Sequence, residues 1–488
     1  MAPTNPFASA TDIAAAIQDR IVSSRELLEL YLDRVERFNP ALNAIVTLDA
    51  NRARSEADAA DAAIARGDQL GPLHGVPITI KDAIETAGMR TTSGAKMLAE
   101  YVPAQDAVAV ARLRAAGAIV FGKTNLPEFA GDAQTFNALF GTTNNPWDPE
   151  RTPGGSSGGA AAAVATGLTG MELGSDLGGS LRIPAQFCGV YTIKPTWGIV
   201  PMTGHIPPPP DAQRDVDVGV IGPLTRSAAD LDLALQIIAG PDAAAGVAWR
   251  LELPPPRSDS LSGYRIAVWL DDPYSPVDGQ TGAVYEQVIA DLARAGAHLT
   301  TTPLPVPLGE MHDVAQRLIQ SSMSAWLPED YYQSLVDRAA AAPADDRSSP
   351  IRWARNVTQS VRAFRLAEQE RIRQKAAWAD FFTQYDALLC PVMPTPAIRH
   401  DHERDVDARR IVFNKTTIPY GDQFAWLQAF GVVHLPAVVA PVGLTATGLP
   451  VGIQIVGPHL EDRTPIDLAR RMERITGGFQ APPGFGAV

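Results

Sequence analysis

The chain reads GGSSGG at residues 154–159 and GSDLGGSLRIP at residues 174–184, and these two stretches decide the fold that we expect. Each places a serine, Ser156 or Ser180, in a glycine-rich backbone that can turn tightly and approach another group closely. One lysine, Lys81, lies far upstream in the segment GVPITIKD. The apolar residues before it predict a buried strand, so its amine would be removed from water.

These residue types indicate a hydrolase with a serine nucleophile. A serine hydroxyl reacts poorly until a nearby base takes its proton. A lysine can be that base when burial lowers its pKa enough to leave the amine neutral. The reaction also needs donors that point at the negative oxygen formed on the substrate carbonyl, and the turn at residues 177–180 could supply backbone N–H groups.

Both stretches resemble the amidase signature family, and further motifs extend the resemblance over nearly the whole chain. Those motifs are KTNLPEFA (123–130), GTTNNPWDPERTPGGSSGG (141–159), FCGVYTIKPTWGIVP (187–201), IGPLTRSAADL (221–231), YDALLCPVMPTPA (385–397) and GLPVGIQIVG (448–457). The resemblance implies an α/β fold in which a large mixed β-sheet is sandwiched between α-helices. It also implies one domain over residues 1–488, with an N-terminal helical region (1–70), a catalytic core (71–240), a variable pocket-shaping region (241–385) and the C-terminal part of the core (386–488).

The resemblance assigns a role to each residue of the site. Ser180 is expected to be the nucleophile that forms an acyl-enzyme, Ser156 to relay its proton, and Lys81 to be the neutral base. The Gly155–Ser156 peptide bond is expected to be cis. The expected oxyanion hole is formed by the N–H groups of Leu177, Gly178, Gly179 and Ser180. The expected supporting residues are Gly155, Ser157, Ser175, Asp176 and Arg182.

Four segments are candidates to line the substrate pocket, and the aromatic residues concentrated in three of them suggest a wide apolar pocket. The segments are 128–140, 203–217, 311–326 and 419–430, and the candidate pocket residues are Phe129, Phe136, Tyr420, Phe424 and Trp426. Such a pocket predicts activity on aryl or apolar amides and esters, as in an aryl acylamidase. The loop GHIPPPPD at residues 204–211 is similar to a loop in a subgroup of bacterial amidases, some of which cleave carbamates, so a urethanase remains an alternative.

Two other interpretations remain open. The sequence GGSSG fits the G-x-S-x-G nucleophile elbow of another hydrolase fold, which would make Ser156 the nucleophile and require a downstream acid and histidine. The amidase signature family also includes the A subunit of the glutamyl-tRNA amidotransferase, which releases ammonia from glutamine inside a complex of several proteins.

His74 lies near Lys81 in sequence, and we interpret it as a packed loop residue.

Composition restricts the partners. The net charge of −13 over 488 residues argues against a nucleic-acid surface. Cys188 and Cys390 are too few for a disulfide framework and are expected to be buried thiols. No signal peptide, membrane-spanning stretch or metal-ligand spacing is recognised. We therefore expect a cytoplasmic enzyme with a small-molecule amide or carbamate substrate, without a cofactor or metal, and the family leaves a homodimer open.

Local patterns predict several elements. Ser23 and Glu26 form a capping-box pattern at the start of a helix. Small residues at 158–166 and a periodic pattern at 281–295 predict two further helices, and residues 356–385 predict one long helix.

Overall fold

The computed structural model describes residues 5–210 and 216–486. The helices within these residues are α1 (Ala10–Gln18), α2 (Ser24–Leu42), α3 (Ala50–Arg66), α4 (Val108–Ala115), α5 (Gly158–Ala165), α6 (Arg182–Cys188), α7 (Ala228–Ile238), α8 (Gly279–Arg294), α9 (Leu308–Met323), α10 (Glu329–Ala341), α11 (Ser349–Val357), α12 (Val361–Gln384), α13 (Ala425–Val432) and α14 (Arg463–Thr476). The strands are β1 (Ile45–Leu48), β2 (Pro77–Lys81), β3 (Ile119–Thr124), β4 (Phe136–Asn137), β5 (Gly141–Thr142), β6 (Glu172–Asp176), β7 (Tyr191–Lys194), β8 (Val220–Thr225), β9 (Arg265–Val268), β10 (His298–Thr301), β11 (Ala387–Pro391), β12 (Arg410–Phe413), β13 (Thr416–Pro419), β14 (Ala437–Leu444) and β15 (Pro450–Val456).

Eleven of these strands form one mixed sheet in the order β1-β3-β2-β6-β8-β7-β14-β15-β11-β9-β10. The pairs β3–β2 and β2–β6 are parallel, and so are β11–β9 and β9–β10. The central strands from β6 to β11 pair antiparallel. This order places β2 beside β6, so the carboxyl end of β2, where Lys81 lies, meets the carboxyl end of β6, where the second glycine-rich stretch begins.

Both faces of the sheet are buried against helices. Along β14, Val438 and Ala440 belong to one hydrophobic cluster, while Ala437 and Val439 pack into clusters on the opposite face. Successive side chains of a strand point to opposite faces, so apolar residues at consecutive positions require cover on both sides. The structure therefore confirms the predicted α/β fold with a large mixed sheet between helices.

Most of the predicted elements are confirmed within a few residues. The Ser23 hydroxyl accepts from the Glu26 backbone N–H, and the Glu26 side chain accepts from the Ser23 N–H, which completes the capping box. The helices predicted at 158–166 and 281–295 are α5 and α8. The long helix predicted at 356–385 is α12, which starts at Val361 rather than at Asn356, because residues 356 and 357 belong to α11. The chain leaves helical geometry between α11 and α12, where the Ser360 hydroxyl accepts from Ala363 N–H and starts a new helix.

Candidate active site

Lys81 ends strand β2 and has no exposed surface. Its Nζ lies 2.6 Å from Ser156 Oγ and 3.0 Å from both Ser157 Oγ and Ser175 Oγ. Burial lowers the pKa of the amine to about 7, although the carboxyl groups of Asp176 and Glu172 act in the opposite direction. A lysine with this pKa is partly neutral at neutral pH, so it can accept a proton.

Ser156 and Ser157 are held by the turn that precedes α5. The Gly155–Ser156 peptide bond is cis, as predicted. Gly155 packs so tightly that a Cβ there would lie 2.6 Å from the carbonyl oxygen of Asp132. Only a residue without a side chain fits this position, which explains why it is a glycine. The backbone N–H of Ser157 donates to the carbonyl of Ser180 at 3.1 Å, and this bond ties the two glycine-rich stretches together.

Asp176 organises the turn that carries Ser180. Its carboxylate accepts from the N–H groups of Gly179 (2.8 Å) and Leu181 (3.1 Å) and pairs with the Arg182 guanidinium at 3.0 Å. Both charged side chains are buried. Burial alone would raise the pKa of Asp176, but the charge and hydrogen bonds of Arg182 hold it below the usual value. Arg182 also donates to the carbonyl of Leu427, which fixes the pair in place.

The predicted oxyanion hole is corrected at one position. The Gly179 N–H already donates to Asp176, so it is engaged and does not point at a substrate oxygen. The N–H groups of Leu177, Gly178 and Ser180 have no hydrogen-bond partner among residues 5–210 and 216–486. Three of the four expected donors are thus available. Gly179 keeps a structural role, because it adopts a φ of 132°.

A cavity of about 100 Å³ opens beside these groups, and Ser156, Ser175 and Ser180 lie in its wall. Three of the four predicted segments contribute to it. The remaining lining residues are mostly apolar: Phe129, Ala130, Gly131, Asp176, Leu177, Met202, His205, Pro207, Val216, Gly219, Val220, Ser322, Met323 and Trp326. Residues 211–215 of the predicted 203–217 segment lie outside the described residues.

Of the five predicted pocket aromatics, only Phe129 lines the cavity. Trp426 has no exposed surface and donates its ring N–H to the carbonyl of Ser275 in the core. Tyr420 is buried, and its hydroxyl donates to Asp132. Phe136 stacks on a histidine ring, and Phe424 packs edge-on against Tyr420. Trp426 and Tyr420 are therefore interior residues, Phe136 and Phe424 are partly exposed, and none of the four rings lines the cavity.

His205 is a residue of the site that the sequence analysis missed. It is buried in the cavity wall, and its Nε2 lies 2.8 Å from Ser175 Oγ. The only indication of His205 in the sequence was its position in the GHIPPPPD loop. His74, the histidine that the sequence brought to attention, contacts the carbonyl of Ala60 at 3.0 Å and packs as a loop residue.

Other expectations concern the rest of the molecule. Cys188 and Cys390 are free and buried, as predicted. Within the described part of the chain, no cluster of three or more histidine, cysteine or carboxylate side chains could hold a metal ion. None of the helices in the ranges 5–210 and 216–486 is long and apolar enough to cross a membrane.

Comparisons with known proteins agree with this fold. The Amidase family matches residues 26–465. The A subunit of the glutamyl-tRNA(Gln) amidotransferase of Synechococcus sp. (strain CC9902) is 32% identical over 479 residues, which cover 94% of each chain. Among solved structures, a bacterial aryl acylamidase of the amidase signature family has a TM-score of 0.80 and 26% identity, with 97% of each chain covered. A chain from a vestigial protein complex that reveals the origins of an s-triazine catabolic enzyme has a TM-score of 0.82 and 27% identity, with coverage of 97% of this chain and 100% of that one.

The fold and the lysine–serine cluster define the class of amidases that use a serine. The family match covers most of the chain, so the protein belongs to the amidase signature family. The nucleophile-elbow interpretation would have required another hydrolase fold and is wrong.

Proposed function

We propose that the protein hydrolyses small, uncharged amides with apolar or aryl substituents through an acyl-enzyme on Ser180. The observation that carries this proposal is the 2.6 Å hydrogen bond between the buried amine of Lys81 and Ser156 Oγ, in the wall of the cavity that also contains Ser180. Neutral Lys81 takes the proton of Ser156, which takes the proton of Ser180 as Ser180 Oγ attacks the substrate carbonyl.

The proton then travels in the opposite direction. Ser156 returns it to the leaving nitrogen, which departs as a neutral amine. The N–H groups of Leu177, Gly178 and Ser180 stabilise the negative oxygen while the carbonyl carbon is tetrahedral. Water attacks the resulting ester of Ser180 by the same route, again with Lys81 as the base. The acid is released and Ser180 regains its proton.

The chemistry of the cavity wall supports apolar substrates. Phe129, Leu177, Val216 and Met323 present hydrocarbon to the cavity. Asp176, the one carboxylate among the lining residues that the structure describes, is already paired with Arg182. Among the described lining residues there is no cation to bind the α-carboxylate of a glutamine substrate. An uncharged acyl or aryl group is therefore the better match.

A second candidate function is glutamine hydrolysis within an amidotransferase complex. It is favoured by the 32% identity to the amidotransferase sequence, which extends over 94% of both chains. It requires partner proteins and a site for a zwitterionic amino acid. The composition of the cavity wall argues against it for the isolated chain, and direct measurement of ammonia release from glutamine distinguishes the two candidates.

The experiment compares four substrates on the purified chain: an aryl amide, the matched aryl ester, the matched aryl carbamate and L-glutamine. The proposal predicts turnover of the amide above the spontaneous rate and negligible release of ammonia from glutamine. Carbamate turnover faster than amide turnover would favour a urethanase with the same site. Glutamine hydrolysis without aryl amide hydrolysis would reject the proposal in favour of the amidotransferase role.

A further inference from the structure

His205 connects the cavity wall to the base. Its Nδ1 lies 2.8 Å from the carbonyl oxygen of Pro207, and its Nε2 lies 2.8 Å from Ser175 Oγ. Ser175 Oγ in turn lies 3.0 Å from Lys81 Nζ. The Ser175 hydroxyl thus bridges His205 Nε2 and Lys81 Nζ, while the other ring nitrogen of His205 faces the carbonyl of Pro207.

The hydrogen bonds of His205 determine which ring nitrogen carries a proton. A carbonyl oxygen only accepts, so Nδ1 must donate to Pro207. Burial, and then the nearby charge of Lys81, lowers the pKa of His205 to about 4, so the ring is neutral at neutral pH. A neutral imidazole with its proton on Nδ1 has an acceptor at Nε2. The hydroxyl of Ser175 therefore donates to His205 and turns its lone pairs toward Lys81.

Ser157 is oriented in the same sense. Its hydroxyl donates to the carbonyl oxygen of Ser175 at 3.3 Å and accepts from the Ser175 backbone N–H at 3.4 Å, so one lone pair remains to accept from Lys81 Nζ. A neutral amine has two N–H donors and one lone pair. The two donors are satisfied by Ser157 and Ser175, and the lone pair is left for the third neighbour, the hydroxyl of Ser156.

We propose that His205 is a positioning residue: by accepting a hydrogen bond from the Ser175 hydroxyl, it leaves Ser175 as an acceptor toward Lys81 and aims the lone pair of neutral Lys81 at Ser156. The proposal rests on the proposed function, because it concerns the direction of proton transfer in that reaction. Without His205, the Ser175 hydroxyl can turn and donate to the Lys81 lone pair. Ser175 then competes with Ser156 for the base, and the relay is blocked in part of the molecules.

The kinetic test is a double-mutant cycle between His205 and Ser175. His205→Leu is expected to lower kcat and the rate of fluorophosphonate labelling of Ser180 by roughly tenfold, with KM nearly unchanged, because one buried hydrogen bond of the network is lost. In a Ser175→Ala background, His205→Leu is expected to have no further effect. His205→Gln, whose side-chain oxygen can replace the Nε2 acceptor, is expected to restore most of the rate.

The matched control is His74→Leu, which removes a histidine whose hydrogen bond goes to a backbone carbonyl outside the site. It should leave both rates as in the wild type. Three results would overturn the proposal: wild-type rates in His205→Leu, the same loss in both Ser175 backgrounds, or a His205→Gln variant as slow as His205→Leu. Each of these would reduce His205 to a packing residue of the cavity wall.

A spectroscopic measurement separates the fate of this proposal from that of the proposed function. Nitrogen-15 NMR of the histidine-labelled protein should show His205 as the neutral Nδ1–H form from pH 6 to 9, with an Nε2 shift that changes in Ser175→Ala. The charged groups that face this network are Lys81, Asp176 and Glu172. A proton on Nε2 would overturn the proposal, whatever the activity. A wild-type protein that neither hydrolyses amides nor labels at Ser180 would refute the proposed function while this signal still reports on His205.

Discussion

Lowering the pH through the pKa of Lys81 is expected to switch off attack by Ser180. Burial moves this pKa from 10.5 to about 7. At pH 7 about half of the molecules then hold a neutral base, against about one in 3,000 for a lysine of ordinary pKa. Because the neutral form is the active one, the rate should rise with pH.

The assay is kcat/KM for an aryl amide between pH 5 and 9, with the labelling rate of Ser180 measured in parallel. The rate should increase about tenfold per pH unit below pH 7 and reach a plateau above about pH 8. In Lys81→Ala the residual rate should be far lower and the inflection near pH 7 should disappear. The control is Lys194→Met, because burial also lowers the pKa of Lys194 to about 7, yet its amine donates to the carbonyl of Pro195.

The reasoning would be refuted by a flat profile between pH 5 and 9, which would show that no group near pH 7 controls the attack. It would also be refuted by a rate that keeps rising to pH 10, since Lys81 would then hold its proton as an exposed lysine does. If the inflection near pH 7 disappears in Lys194→Met but persists in Lys81→Ala, the titrating base is Lys194 and not Lys81.

Four further predictions follow from the geometry. Ser156→Ala should lower kcat by about 10² to 10⁴ while the fold is unchanged, because the proton relay is lost; kinetics and circular dichroism measure the two effects. Arg182→Met should lower the free energy of unfolding by about 3–5 kcal/mol in chemical denaturation, because it leaves the buried carboxylate of Asp176 unpaired. Gly179→Ala should lower both stability and kcat, because φ is 132° and a Cβ would lie 2.5 Å from a leucine side chain. Met323→Ala should raise KM for aryl amides more than it lowers kcat, because it removes hydrocarbon from the cavity wall.

Each of these predictions has an outcome that contradicts it. A Ser156→Ala variant with wild-type kcat would remove Ser156 from the relay. An Arg182→Met variant as stable as the wild type would mean that Asp176 is not held as a buried anion. An unchanged melting temperature in Gly179→Ala would show that the turn tolerates a side chain. A KM unaffected by Met323→Ala would place the substrate elsewhere.

The sequence predicts the candidate reacting groups because local rules control their surroundings. The apolar strand that ends at Lys81 predicts burial, and glycines on both sides of Ser156 and Ser180 predict tight turns. The structure brings Lys81 and Ser156 to 2.6 Å, as that interpretation requires. The participation of Gly179 in the oxyanion hole was predicted wrongly, because the sequence does not indicate that its N–H is taken by Asp176.

The substrate pocket was harder to predict, because aromatic residues fill protein cores as well as cavities. Trp426 and Tyr420 lie in a segment that was predicted to line the pocket, yet both rings are buried in the interior. The cavity wall instead includes Met323 and Val216, whose aliphatic side chains give no distinctive signal. His205 was missed for a related reason: its contact with Ser175 joins residues 30 positions apart, and no local pattern encodes it.

The break between α11 and α12 illustrates the same limit. The segment from Asn356 onward has enough helix-forming residues to predict one long helix. Helix α11 already ends at Val357, and Ser360 caps the start of α12 by accepting a hydrogen bond from Ala363 N–H, which periodicity does not reveal.

The central claim is that Ser180 is the nucleophile and that Lys81 activates it through Ser156. The most direct test is reaction of the purified protein with a fluorophosphonate, followed by identification of the modified peptide by mass spectrometry. The account predicts modification of Ser180, absent in Ser180→Ala and much slower in Lys81→Ala. Modification of Ser156 instead, or labelling of Ser180 at an unchanged rate in Lys81→Ala, would contradict it.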